Sequence, residues 1–146
     1  WVNENTIHSS RKIVVLGMAF KGVPETNDLR GSPTLALVNS LEKETINGEI
    51  YCWDPVIPHH ELTSFGYKSS ATLNEVLQDA CAVILVNNHP ELDNLDLIAL
   101  SESTSGPVLI YDFWGRNDHN LSLAANTNYH SWGNHSKASM NLRNPN

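Results

Sequence analysis

Residues 13 to 33 read I-V-V-L-G-M-A-F-K-G-V-P-E-T-N-D-L-R-G-S-P, and their order decides the fold. Ile13 to Leu16 is short, apolar and rich in β-branched residues. It follows the charged pair Arg11-Lys12, which predicts a buried strand that starts at the surface and ends at Gly17. After a loop, Ser32 offers an N-cap and Pro33 the first helical position. Leu35, Leu37, Val38 and Leu41 then recur with helical spacing to Lys43, so the segment predicts strand, loop and helix.

The same rhythm continues outward. Asn47-Gly48 predicts a turn, Ile50 to Trp53 a second strand, and Asp54-Pro55 its end. Between Pro58 and Ser70 the pattern is weak, with a short strand expected near Tyr67. Leu73, Val76 and Leu77 with Glu75 predict a short helix, and Cys81 to Val86, the most apolar run, a strand. Asp93 to Leu100 reads as a helical turn or two. Val108 to Phe113, after Gly106-Pro107, reads as the final strand. Strands alternating with helices predict an α/β fold: a doubly wound, mostly parallel sheet in three α/β/α layers. From His119 onward Asn, Ser and His dominate, and a tail packed on the domain is expected, with local order around Tyr129 and Trp132.

The chain of 146 residues is 40% hydrophobic, enough for one core and one domain. Its net charge of −7 argues against a nucleic-acid module, which needs a surplus of Lys and Arg. Cys52 and Cys81 lie inside strand-like runs and read as buried thiols, which fits a reducing cytoplasm. No stretch approaches the roughly 18 apolar residues of a membrane helix, and residues 1 to 10 lack the pattern of a secretory signal. No membrane association is expected. No metal site is expected either, because His59 and His60 are adjacent while His119, His130 and His135 lie in the irregular tail.

In a sheet of this kind ligands bind outside the carboxyl ends of the strands. The loops after the first and last strands, Gly17 to Gly31 and Trp114 to Asp118, are therefore the candidates. The first loop has Ala19 where a dinucleotide fingerprint has its second glycine, and no Gly-Lys-Ser/Thr step, so neither a pyrophosphate cradle nor a Walker loop is present. It offers Lys21 and Arg30 instead, with Arg116 in the second loop: three of nine cations for one crevice. Several convergent cations are what a diphosphate requires. The alternative has Arg30 bracing Glu25 and Asp28, Lys21 merely solvated and Arg116 on a flexible exit. Spacing leaves both open.

The stretches V-L-G-M-A-F-K-G and E-T-N-D-L-R-G-S-P resemble the opening of the C-terminal domain in UDP-glucose/GDP-mannose dehydrogenases. I-Y-C-W-D-P is similar to that family's second-strand ending, and Y-D-F-W-G-R-N to its terminal strand. The resemblance covers about residues 11 to 118. It implies a Rossmann-like domain that receives the UDP part of a sugar nucleotide, with NAD held mainly by a separate N-terminal domain. Carried over by position, Phe20 and Lys21 meet the substrate, Arg116 approaches its diphosphate and Arg30 leans toward the cofactor's phosphates. The family oxidises a C6 alcohol to a carboxylate through a cysteine adduct. Neither Cys52 nor Cys81 matches that nucleophile, so no catalytic residue is assigned and the chain alone is expected to be inactive. The substrate is expected to be UDP-glucose or a UDP-N-acetylhexosamine, as in polysaccharide precursor biosynthesis. Residues 1 to 10 are expected to end the connection from a central domain, through which the full-length enzyme forms a homodimer.

Two rivals remain. A phosphoacceptor signalling module needs acidic residues after strand one and at the end of the central strand, where this chain has Gly17-Met18 and Asn87-Asn88-His89. A true NAD-binding domain would use Asp54 for the ribose, against which Ala19 speaks.

Overall fold

A computed structural model describes residues 12–45, 48–104, 106–117 and 126–132. Five strands are present among them: β1 (Lys12–Leu16), β2 (Glu49–Trp53), β3 (Ala80–Leu85), β4 (Val108–Asp112) and β5 (Thr127–Ser131). They form one parallel sheet in the order β2-β1-β3-β4-β5. The helices are α1 (Pro33–Glu44), α2 (His59–Ser64), α3 (Leu73–Leu77) and α4 (Leu97–Glu102), with a single 3-10 turn at Pro90–Leu92.

Alternating side chains of β1 build two cores. Val14 and Leu16 join Val83, Leu85, Ile110 and Tyr129 beneath Val76 of α3 and Leu97 and Leu100 of α4. Ile13 and Val15 join Ile50 and Cys52 on the other face, under Val38 of α1 and Leu62 of α2. Both faces of the sheet are thus covered, as its continuous apolar strands require. Cys52 and Cys81 are both buried.

Helix starts follow local chemistry. The Ser32 hydroxyl caps α1 by accepting from Thr34 N–H, and Thr72 with Glu75 forms a capping box on α3. Asp96 caps α4 by accepting from Ala99 N–H, so that helix begins at Leu97, after the 3-10 turn, and not at Asp93 as expected.

Two further expectations are corrected. The strand near Tyr67 is a single bridge, Tyr51 to Lys68. Val108–Asp112 is not the final strand: β5 adds itself in parallel to β4, pairing Ile110 with Tyr129. The sheet therefore runs past the expected boundary at residue 118. Residues 1–11, 118–125 and 133–146, which carry the expected linker, Asp118, His119, His135 and most of the expected tail, lie outside the described residues, as does Asn47.

Candidate functional site

The strand order reverses between β1 and β3, which places the crevice of a doubly wound sheet between their exit loops. The β1 exit, residues 17–31, is the loop expected from sequence. The β3 exit, Val86-Asn87-Asn88-His89, is new, and the β4 exit that carries Arg116 flanks it.

The β1 loop is fixed at its root by Asp54. This buried carboxylate accepts Ala19 N–H at 2.8 Å through Oδ2, and Val56 and Ile57 N–H at 2.8 and 3.1 Å through Oδ1. Both oxygens are therefore occupied by backbone, and Asp54 has no room for a ribose. Gly17, at φ +91°, lies against Asn87, whose Cγ stands 2.6 Å from where a Cβ would be. Thr34 Oγ1 donates to Gly17 O at 2.9 Å and ties α1 to the same turn. With Ala19 N–H taken by Asp54 and Gly17 packed against Asn87, this turn does not offer the backbone N–H at Ala19 that a dinucleotide's pyrophosphate would need, and these residues do not fit NAD as a resident cofactor.

Beyond Ala19, Phe20 N–H donates to Asp28 O at 2.8 Å, closing the loop on itself. The Phe20 ring is half exposed. Lys21 is exposed, and its ammonium pairs with no carboxylate among the described residues. Arg30 forks onto Asp28, Nε to Oδ1 and Nη2 to Oδ2, each at 2.9 Å. These hydrogen bonds hold the Asp28 carboxyl down at about 2 and raise Arg30. The pair is solvated, with the Arg30 side chain 91% exposed. Half of the bracing alternative therefore describes Arg30, while Glu25 turns elsewhere.

Glu25 reaches the β3 exit, where its Oε2 stands 3.1 Å from His89 Nε2. His89 Nδ1 accepts Glu91 N–H at 3.2 Å, which leaves Nε2 as the ring nitrogen that faces Glu25. One residue earlier, Asn88 Oδ1 accepts Gly22 and Val23 N–H, both at 3.1 Å. Gly22 lies so close that a Cβ would stand 2.1 Å from His89 N.

The β4 exit is organised by a second buried carboxylate. Asp112 Oδ1 accepts Trp114 and Gly115 N–H at 2.9 and 3.0 Å. Its Oδ2 accepts Arg116 N–H, Asn117 N–H, Asn117 Nδ2 and the Tyr129 hydroxyl at 2.9 to 3.1 Å. Arg116 Nη1 meets both oxygens of Asp93 at 3.1 and 2.9 Å and makes a long 3.5 Å contact with Asn88 O. Nε and Nη2 of that guanidinium make no hydrogen bond among the described residues. Its carbon sits 5.9 Å from the ring of Trp114, which is half exposed and donates Nε1–H to Val86 O at 3.0 Å. Phe113 stacks on Trp132.

Asn88 is thus the meeting point of the two expected loops. Its side chain holds the residue after Lys21, and its carbonyl touches Arg116. Arg30 lies on the far arm of the β1 loop and contacts neither. The sequence signal for the β3 exit was the abrupt change from the apolar run 81–86 to Asn-Asn-His.

This arrangement defines a doubly wound α/β domain with a crevice at its topological switch point, flanked by exposed cations on side-chain-organised loops. The chain belongs to the UDP-glucose/GDP-mannose dehydrogenase family, whose UDP binding domain matches residues 14–119. It is 31% identical over 136 aligned positions to the UDP-glucose 6-dehydrogenase TuaD of Bacillus subtilis (strain 168). That alignment covers 84% of this chain and 26% of the relative, so the chain spans about a quarter of its length. Among the described residues no helix is long and apolar enough to cross a membrane.

Proposed function

We propose that this domain supplies the UDP-binding part of an NAD-dependent UDP-sugar 6-dehydrogenase in the cytoplasm, serving polysaccharide precursor synthesis. The single observation that carries the reading is the joint anchoring of the Lys21 loop and Arg116 on Asn88 at the switch point. In an acidic chain, two loops that each carry an exposed cation meet at Asn88, where a doubly wound sheet takes its ligand.

Lys21 and the open Nε and Nη2 of Arg116 bind the diphosphate, and Phe20 lies against the substrate. The substrate is UDP-glucose or a UDP-N-acetylhexosamine. Arg30, exposed and set apart from the other two, faces the phosphates of NAD across a domain boundary and must share its charge with Asp28. NAD itself is held by another domain of the full-length, dimeric enzyme, where it accepts the electrons removed from C6. Neither buried thiol is placed to act as nucleophile.

Replacement in the full-length dehydrogenase tests the assignment. Lys21→Ala or Arg116→Ala is expected to raise the KM for the UDP-sugar by about 10- to 100-fold, the worth of a charge-assisted contact, with the KM for NAD changed far less. Arg30→Ala is expected to move the NAD constant more. An unchanged UDP-sugar KM in both of the first two variants would refute the site.

A further inference from the structure

We infer that Asn88, with His89 beside it, is the positioning element of the UDP site: a clamp that holds Phe20 and Lys21 in register with Arg116 without touching the ligand. The inference rests on the proposed binding roles of those three residues.

The geometry isolates the span in question. Phe20 and Lys21 lie between two anchors that come from different strand exits. On one side Ala19 N–H is held by Asp54 after β2, and on the other Gly22 and Val23 N–H are held by Asn88 after β3. A two-residue span fixed at both ends has few backbone states, so the side chains it carries are preorganised for a ligand. With the second anchor gone, the ties of the segment from Phe20 to Thr26 among the described residues are Ala19, the Phe20 to Asp28 contact, the Thr26 hydroxyl that accepts Asp28 N–H, and Glu25 to His89.

The acceptor is suited to this task. One carboxamide oxygen takes two consecutive N–H groups of a loop 65 and 66 residues away in sequence, which fixes the peptide plane between them. The Asn88 carbonyl meanwhile makes a long 3.5 Å contact with the Arg116 guanidinium, so the same residue that ties down the Lys21 loop also borders the loop that Asp112 and Asp93 hold. Glu25 adds a second tie to the adjacent His89, whose side chain is 8% exposed. Gly22 is the residue that permits this approach, since any Cβ would strike the His89 backbone.

The test uses the full-length dehydrogenase, with UDP as competitive inhibitor and the KM for NAD as control. Asn88→Leu removes the acceptor, whereas Asn88→Asp keeps it in the same shape. The leucine variant is expected to raise the UDP inhibition constant about tenfold, the loss of two net backbone hydrogen bonds, while the NAD constant changes less than about twofold. The aspartate variant is expected to stay within about threefold of the native value, and amide exchange at Gly22 and Val23 to accelerate only in the leucine variant.

Three results overturn the inference: an unchanged UDP constant in Asn88→Leu, equal rises for UDP and NAD, or an aspartate variant as weak as the leucine one. Should Asn88→Leu fail to fold, Glu25→Ala at an exposed side chain carries the test, with a rise of about threefold expected and no rise refuting the clamp. Lys21→Ala and Arg116→Ala, measured in parallel, separate the two levels. If they weaken UDP and Asn88→Leu does not, only the clamp is wrong; if they do not, the site reading falls first and the clamp with it.

Discussion

Gly22→Ala is the most direct probe of how closely the β1 loop must approach the β3 exit. A Cβ at residue 22 would lie 2.1 Å from His89 N, 2.5 Å from His89 Cα and 2.7 Å from Asn88 C, all backbone atoms. Ordinary van der Waals contact begins at 3.4 Å, so the loop has to recede by about 1.3 Å or the β3 exit has to give way. Neither can be absorbed by rotating a side chain. A retreat of that size stretches the 3.1 Å bonds from Gly22 and Val23 to Asn88 beyond hydrogen-bonding distance. Two net hydrogen bonds and the overpacking together predict a loss of about 2–4 kcal/mol in folding stability. The displaced Lys21 predicts a further signature, because a misplacement near 1 Å at a binding group lowers activity by up to about 100-fold. Urea unfolding of the domain and the UDP inhibition constant of the full-length enzyme measure the two effects. A variant with native stability and native UDP affinity would show that the loop does not sit as described, and the reasoning from Asn88 would fail with it.

Asp112→Asn places an amide where six donors converge, and is expected to reduce unfolding free energy by about 3 kcal/mol in urea titration; a loss below about 1 kcal/mol contradicts the role given to this carboxylate. Tyr129→Phe removes one of those donors and is expected to lose about 1 kcal/mol, read in the same assay. Burial, with a smaller contribution from Glu42, pushes the Cys52 thiol up to about 12, so a thiol reagent at pH 8 is expected to label it only after denaturant is added; rapid labelling of the native domain would contradict its burial. The Asp28 carboxyl, held at about 2 against an ordinary 3.8, favours the ordered loop above about pH 4 and loses that effect as pH falls toward 2. In an NMR titration its midpoint is expected to return toward 3.8 in Arg30→Ala, and an unmoved midpoint would assign the depression to another cause.

Four strands and α1 were legible because their residues are locally consistent. The apolar runs at 13–16, 50–53, 81–86 and 108–113 are short and β-branched or aromatic, and Ser32-Pro33 caps a helix by its own chemistry. β5 was not legible as a strand, because T-N-Y-H-S is polar and reads as tail; it buries Thr127, Tyr129 and Ser131 on one side, and only Tyr129 is apolar in bulk. α2 was missed because H-H-E-L-T-S buries only Leu62, and Pro58 supplies no side-chain cap. The loops bearing Phe20, Lys21, Arg30 and Arg116 were visible in sequence, whereas their relation was not. Asn88 draws its importance from partners 65 and 66 residues upstream, and a carboxamide that accepts distant backbone N–H groups leaves no local pattern. Asp54 was visible too, but as a rival ribose ligand; only the three N–H groups converging on it reveal an anchor.

The two strand-end aspartates also explain how a chain of net charge −7 can present a site for an anion. Asp54 and Asp112 stand at the carboxyl ends of β2 and β4, close to the crevice, where a free carboxylate would repel a diphosphate. Each is buried instead beneath the loop it organises, with its oxygens turned to backbone N–H groups. Hydrogen bonding by several amides disperses that negative charge, and the loops built over it carry Lys21 and Arg116 outward. The remaining competitor is Asp93, which engages Arg116 through Nη1 alone. A ligand phosphate therefore need not break this ion pair to bind: it can take the Nε and Nη2 edge while Asp93 keeps the guanidinium oriented. On this geometry Asp93 aims the arginine, and Asp93→Ala should weaken UDP binding, although it removes a negative charge from the neighbourhood of an anion. Tighter binding of UDP by that variant would show that Asp93 acts as a competitor and not as a guide.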